Sequence, residues 1–244
     1  LTELIFDAGA GELLVGVVEH SDYPPEARAL PRVGDAFRLD LERLANLDPD
    51  LILAWTGGTP ETVITQLRQS GYRVEAIEIS DPAGIADALE RIGQLAGTAD
   101  VAGRHAADFR NGFDQLEQEY SGRSPIRVFF QVSERPLFTV SSDQLIGKVI
   151  EACGGLNVFA DLQQLAAVVS EESVVAADPQ VILAPDQAGD DPLARWRRFS
   201  RMTAVRDQQM FTVDGDQIAR QSLRLIEGAR QVCHLIDRVR PAEP

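Results

Sequence analysis

The stretch Leu39-Asp40-Leu41-Glu42-Arg43-Leu44-Ala45-Asn46-Leu47-Asp48-Pro49-Asp50-Leu51-Ile52-Leu53-Ala54 decides the fold, because its outline returns later in the chain. The second copy is Val168-Val169-Ser170-Glu171-Glu172-Ser173-Val174-Val175-Ala176-Ala177-Asp178-Pro179-Gln180-Val181-Ile182-Leu183-Ala184. Asp178-Pro179 lies 130 positions after Asp48-Pro49, and the same offset carries Glu42 onto Glu172. Each copy reads as a short helix, an Asp-Pro break and an apolar strand. A unit repeated once at this distance implies two lobes of similar architecture, not a solenoid, which stacks three or more short units. Two lobes imply a cleft, and clefts between domains are where small ligands bind.

Working outward, residues 2–8 read as a helix stopped by Gly9 and Gly11, and Leu13–Val18 reads as a strand. A polar loop with the rigid turn Asp22-Tyr23-Pro24-Pro25 follows. Asp40 is placed to cap the helix 40–47. Leu51–Trp55, a helix over 60–70 and Arg73–Ile79 complete a strand–helix–strand unit. Ala102, Ala106, Phe109, Phe113, Leu116 and Tyr120 then recur at spacings of three and four, the stripe of one long amphipathic helix. The alternation resumes with a strand at Arg127–Val132, a helix at Asp143–Cys153 and the repeated helix Glu171–Ala177. Strand Val181–Ala184, a helix over 192–202, strand Gln209–Val213 and a terminal helix over Ser222–Val239 follow. The expected fold is α/β: two Rossmann-like lobes with parallel sheets, residues 1–98 and 122–244, joined by a single long helix over 99–121. A lobe of this kind normally opens on a strand, and this chain opens on a helix, so a strand preceding Leu1 is expected.

The chain has 244 residues, a formal net charge of −15 and 44% hydrophobic residues. That acidity argues against a nucleic-acid partner. No apolar run reaches the roughly 18 residues of a membrane span. The first residues carry no basic region of a signal peptide, as expected for a mature form or a fragment. Two cysteines, Cys153 and Cys233, read either as buried thiols of a cytosolic protein or as one disulfide of an exported one. Motifs of hydrolases, nucleotide-binding loops and zinc peptidases are missing, and no metal-type Cys/His spacing occurs. The expectation is a binding protein with no catalysis, no cofactor and no protein-bound metal.

Ligands of open α/β sheets lie beyond the carboxyl ends of the strands. That rule nominates His20 and Tyr23 after the first strand, Trp55 and Gly57 after the second, Phe138 after Arg127–Val132, and Asp216 and Arg220 after the last. A tryptophan leading into Gly57-Gly58 suits a large planar or greasy ligand. Asp216 and Arg220 suit its polar groups, or simply pair with each other at i, i+4. Glu42 and Glu172, each on the first turn of a short helix at equivalent places in the repeat, suit a symmetric partner carrying arginines.

Four segments together resemble one family: Ser21-Asp22-Tyr23-Pro24-Pro25, the repeated helix with Asp48-Pro49-Asp50-Leu51, Ala54-Trp55-Thr56-Gly57-Gly58, and Cys153-Gly154-Gly155-Leu156-Asn157-Val158-Phe159. The chain resembles the periplasmic cobalamin-binding proteins of vitamin importers, in the helix-linked class that also serves haem and iron-siderophores. The resemblance covers nearly the whole chain. It implies capture of cobalamin or a related corrinoid in the cleft by a monomer, periplasmic or lipid-anchored at the cell surface. Delivery to the permease dimer of an ATP-binding-cassette (ABC) importer would follow. It implies ligand contacts at Trp55, Phe138, Asp216 and Arg220, docking on permease arginines through Glu42 and Glu172, and a disulfide between Cys153 and Cys233. Three positions depart from the family pattern: His20 replaces a tyrosine, and Ala36 and Ala166 replace tryptophans, with Phe37 adjacent to substitute for the first. The alternative on the same scaffold is a haem or iron-siderophore binder, with Tyr23 or His20 as the axial ligand of a haem.

Overall fold

A computed structural model describes residues 1–35, 37–186 and 191–241. The chain divides into two compact units. The first comprises Leu1–Ile79, Ala83–Arg110 and Gln221–Leu223; the second comprises Ser80–Pro82, Asn111–Arg220 and the chain from Arg224 onward.

The first unit opens on helix α1 (Thr2–Asp7), ended at Gly9 in the left-handed conformation. Helix α2 (Leu41–Leu47) starts where the Asp40 carboxylate accepts the N–H of Arg43 at 2.9 Å, satisfying a donor that a helix start leaves open. Strand β1 (Ile52–Trp55) pairs in parallel with β2 (Val74–Ile77), Trp55 opposite Ile77, across helix α3 (Glu61–Gln69). Leu44 of α2 and Leu67 of α3 meet Val33 in the core beneath this pair. Helix α4 (Pro82–Ala96) precedes α5 (Ala99–Tyr120), whose six stripe residues from Ala102 to Tyr120 are all buried. At 1.5 Å per residue α5 is about 33 Å long, and it carries the chain from the first unit into the second. No described helix is long and apolar enough to cross a membrane.

The second unit is built on a four-stranded parallel sheet. Its order is β5 (Gly155–Asn157), β3 (Ile126–Phe130), β7 (Val181–Pro185), β8 (Met210–Val213). The central strands β3 and β7 are almost wholly buried, as expected for parallel strands covered on both faces. On one side Trp196 packs against Phe129 with ring centroids 5.5 Å apart. Its indole N–H, which needs a partner once buried, donates to Gln131 at 2.7 Å. Helix α7 (Glu171–Ala177) turns Val174 into this cluster, the place that Leu44 takes in the first unit 130 residues earlier. A separate antiparallel ribbon joins β4 (Phe138–Val140) to β6 (Ala166–Val168). Helix α6 (Leu145–Ala152) leads to Cys153, which is disulfide-bonded to Cys233 with Cα atoms 4.7 Å apart. Helices α8 (Thr203–Arg206), α9 (Gly215–Ala219) and α10 (Leu225–Asp237), the last carrying Cys233, complete the unit.

Three expectations are corrected. Leu13–Val18 is not a strand. Gly11–Leu13 is a 3-10 turn, and Val17 alone forms a bridge, to Arg32. The segment 31–34 runs beside Leu13–Val18 through only a few main-chain bonds, from Val17 N–H to the Pro31 carbonyl and from Val33 N–H to the Val17 carbonyl, and Leu13 is 62% exposed. The helix over 192–202 is instead a 3-10 turn at Ala194–Arg198 followed by α8, because the Asp178 carboxylate starts a new helix. It accepts the Thr203 N–H at 2.7 Å and the Thr203 hydroxyl at 2.8 Å. Phe138, expected in the loop that follows the strand Arg127–Val132, lies instead at the head of β4.

Candidate ligand-binding and docking residues

In the first unit Trp55 ends β1 half-buried, and its indole folds back over the following turn. A Cβ at Gly57 would lie 2.7 Å from the ring and one at Gly58 only 2.4 Å, so glycine at both places admits the indole. Neither glycine has a positive φ; the reason here is close approach, not backbone freedom. Among the described residues the enclosed indole N–H has no hydrogen-bond partner.

His20 is exposed at φ 64° and follows no strand, which removes the strand-exit argument for it. Tyr23 is exposed in a loop whose Asp22 carbonyl accepts from Arg28 Nε at 2.9 Å, with a cis peptide to Pro24. Phe37 is 71% exposed. Its N–H and that of Arg38 both donate to Asp35 Oδ1 at 2.7 Å, and these bonds hold the Asp35 carboxyl below the usual carboxylate range. Ala36 lies outside the described residues. Glu42 is exposed on the first turn of α2.

In the second unit Phe138 is half-buried and stands directly opposite Val168 across the β4–β6 ribbon. Val168 is 59% exposed. The pair forms an apolar surface whose second member the sequence reading passed over, since a three-residue strand carries too little alternation to be recognised. Ala166, the other departure from the family pattern, sits exposed at the start of the same strand.

Asp216 and Arg220 are brought together. Arg220, the residue that closes the five-residue helix α9, has Nε and Nη2 3.0 and 2.8 Å from Oδ1 of Asp216 on that helix. The helix is started by Asp214, whose carboxylate accepts the Gln217 N–H at 3.0 Å. With the Asp216 side chain 60% exposed the pair contributes little to stability, yet it fixes a guanidinium beside a carboxylate at the end of β8.

Glu172 is exposed on the first turn of α7, capped by Ser170 Oγ accepting the Ser173 N–H at 3.1 Å. Its own backbone N–H and then the Ser170 hydroxyl hold its carboxyl below the usual glutamate range. Its neighbour Glu171 is instead engaged by Arg195 and Arg198. Among the described residues no three His, Cys, Asp or Glu side chains gather as a metal cluster.

Residues 1–217 match the periplasmic binding protein family, and the chain belongs to it. Within that family it is similar to the vitamin B12-binding protein of Vibrio cholerae serotype O1 (strain ATCC 39541), 34% identical over 233 residues that cover 95% of this chain and 84% of the relative. The crystal structure of the periplasmic vitamin B12 binding protein BtuF of Vibrio cholerae superposes with a TM-score of 0.89 at 33% identity, over 98% of this chain and 93% of that one. The periplasmic haem-binding protein RhuT from Roseiflexus sp. RS-1 superposes at 0.83 with 24% identity, over 98% and 95% of the two chains, and shares the fold.

Proposed function

We propose that this chain is a periplasmic solute-binding protein that captures cobalamin or a related corrinoid, without catalysis, and hands it to the permease dimer of an ABC importer. The observation that carries the reading is the 34% identity to a vitamin B12-binding protein across 95% of the chain. A flat, apolar macrocycle edged by amides needs apolar faces and a few polar groups. Trp55 and Phe138 supply the faces, with Tyr23, His20, Phe37 and the backbone at Gly57 beside them in the proposed set. Asp216 and Arg220 orient the amides. Glu42 and Glu172 dock on permease arginines through charge-assisted hydrogen bonds. The protein acts as a monomer.

Alanine at both Glu42 and Glu172 tests the division of labour. Uptake of cobalamin by cells carrying this variant is expected to stop while the purified variant binds cyanocobalamin as wild type does. Uptake that survives the double substitution removes the docking role from this pair.

A further inference from the structure

Glu172 sits on a helix of seven residues. A helix this short does not hold itself in water, so the place of its first turn is set by whatever that turn is tied to. Three ties exist. Ser170 caps the helix. The N–H of Val169 donates to the Leu137 carbonyl at 3.0 Å. Arg195 reaches Glu171 Oε1 with Nε at 3.0 Å and Nη2 at 2.7 Å. The third nitrogen of the same guanidinium, Nη1, donates to the main-chain carbonyl of Glu134 at 2.6 Å, and Arg198 takes the other oxygen of Glu171. The Arg195 and Glu171 side chains are only 20% and 18% exposed, so salt and water screen this contact less than a surface pair. One planar guanidinium therefore pins the start of α7 to the segment between β3 and β4, a task its fork geometry suits and a lysine's does not. The first unit has no counterpart, because Leu41 stands where Glu171 stands in the repeat.

We infer that Arg195 is a positioning residue for docking: it holds the first turn of α7 in place and engages the charge of Glu171, so that Glu172 is the acid presented to the transporter. This rests on the proposed docking role of Glu172, and the experiment separates the two. Binding of the full chain to its cognate importer in lipid nanodiscs is measured for wild type, R195Q, R195K, E172A and R195Q/E172A. Cyanocobalamin is titrated into each soluble protein in parallel. R195Q is expected to weaken docking about fivefold or more, the scale of coupling between groups in one network. R195K should fall between R195Q and wild type. R195Q should add almost nothing in the E172A background, and cyanocobalamin affinity should be unchanged throughout. Docking of R195Q at wild-type strength overturns the inference. So does a full additional loss on top of E172A, or a parallel loss of cyanocobalamin affinity, which marks a merely structural role. If E172A itself docks normally, the docking reading of Glu172 fails and takes the inference with it. If E172A weakens docking and R195Q does not, only the role of Arg195 falls. Should R195Q not fold, E171Q breaks the same clamp from the other side and is read by the same criteria.

Discussion

Asp48 and Asp178, 130 residues apart, hold the same left-handed backbone, φ 45° and ψ 58° in the first and φ 43° and ψ 64° in the second. Each closes a seven-residue helix and precedes a proline that cannot continue it. Aspartate tolerates this conformation better than most side chains, so one short motif ends the helix and aims the chain into the next strand in both units. The Asp178 carboxylate also starts α8 through the Thr203 N–H and hydroxyl, and Arg127 donates to the Asp178 carbonyl.

That difference predicts unequal costs. Asp178→Ala loses a cap and should destabilise by about 1–2 kcal/mol more than Asp48→Ala, measured by urea denaturation. Equal losses would show that the bonds to Thr203 add nothing.

The same carboxylate gives a pH signature. The Thr203 N–H first, and then the Thr203 hydroxyl, hold Asp178 below the usual aspartate range. A depressed folded value means that the group stabilises the fold above its unfolded pKa and that this contribution is lost as pH falls through the folded value. Stability of wild type should therefore drop more steeply in acid than that of Asp178→Asn. Parallel curves would contradict this.

Trp55 and Gly58 form a second testable contact. Gly58→Ala places a methyl carbon 2.4 Å from the indole as it now lies, which forces the ring off the turn. The variant's tryptophan emission should move to longer wavelength, because the other tryptophan, Trp196, stays buried. An unshifted spectrum would mean that the indole does not rest on Gly57-Gly58.

The Cys153–Cys233 bond closes 80 residues. On the chain-entropy account a loop of this size contributes about 4 kcal/mol. The double serine variant should lose stability on that scale in guanidinium titrations, and reductant should lower the wild type to match. A loss below about 1 kcal/mol would assign the stability to packing around the buried sulfurs instead.

Elements with strong local signals were legible in the sequence. The helix–Asp-Pro–strand repeat, the capping role of Asp40, and the stripe from Ala102 to Tyr120 are set by neighbours within a few residues, and each has its expected form. Pairings made at a distance were not legible. Leu13–Val18 has the composition of a strand, but Leu13 closes a 3-10 turn and the partner segment 31–34 meets only the end of the run, through Val17, a pairing that composition does not reveal. The ribbon between Phe138 and Val168 joins two three-residue strands separated in sequence by α6 and β5, and neither strand is long enough to show alternation. The stacking of Trp55 on its glycines turned on a close approach that only coordinates display, although Gly57-Gly58 marked the place. Glu42 and Glu172, the acids proposed for docking, both stand exposed on the first turn of a short helix and were legible as equivalent positions of the repeat. The clamp on Glu171 was not, because Arg195 reaches it from 24 residues away.

The most direct test of the central claim is isothermal titration calorimetry of the purified chain with cyanocobalamin, with cobinamide and haemin as comparisons. One site with a Kd below about 1 μM for cyanocobalamin, equivalent to about 8 kcal/mol of binding free energy, is the predicted result. Trp55→Ala and Phe138→Ala should each weaken it. Tight haemin binding with no heat from either corrinoid would contradict the account and assign the scaffold to haem.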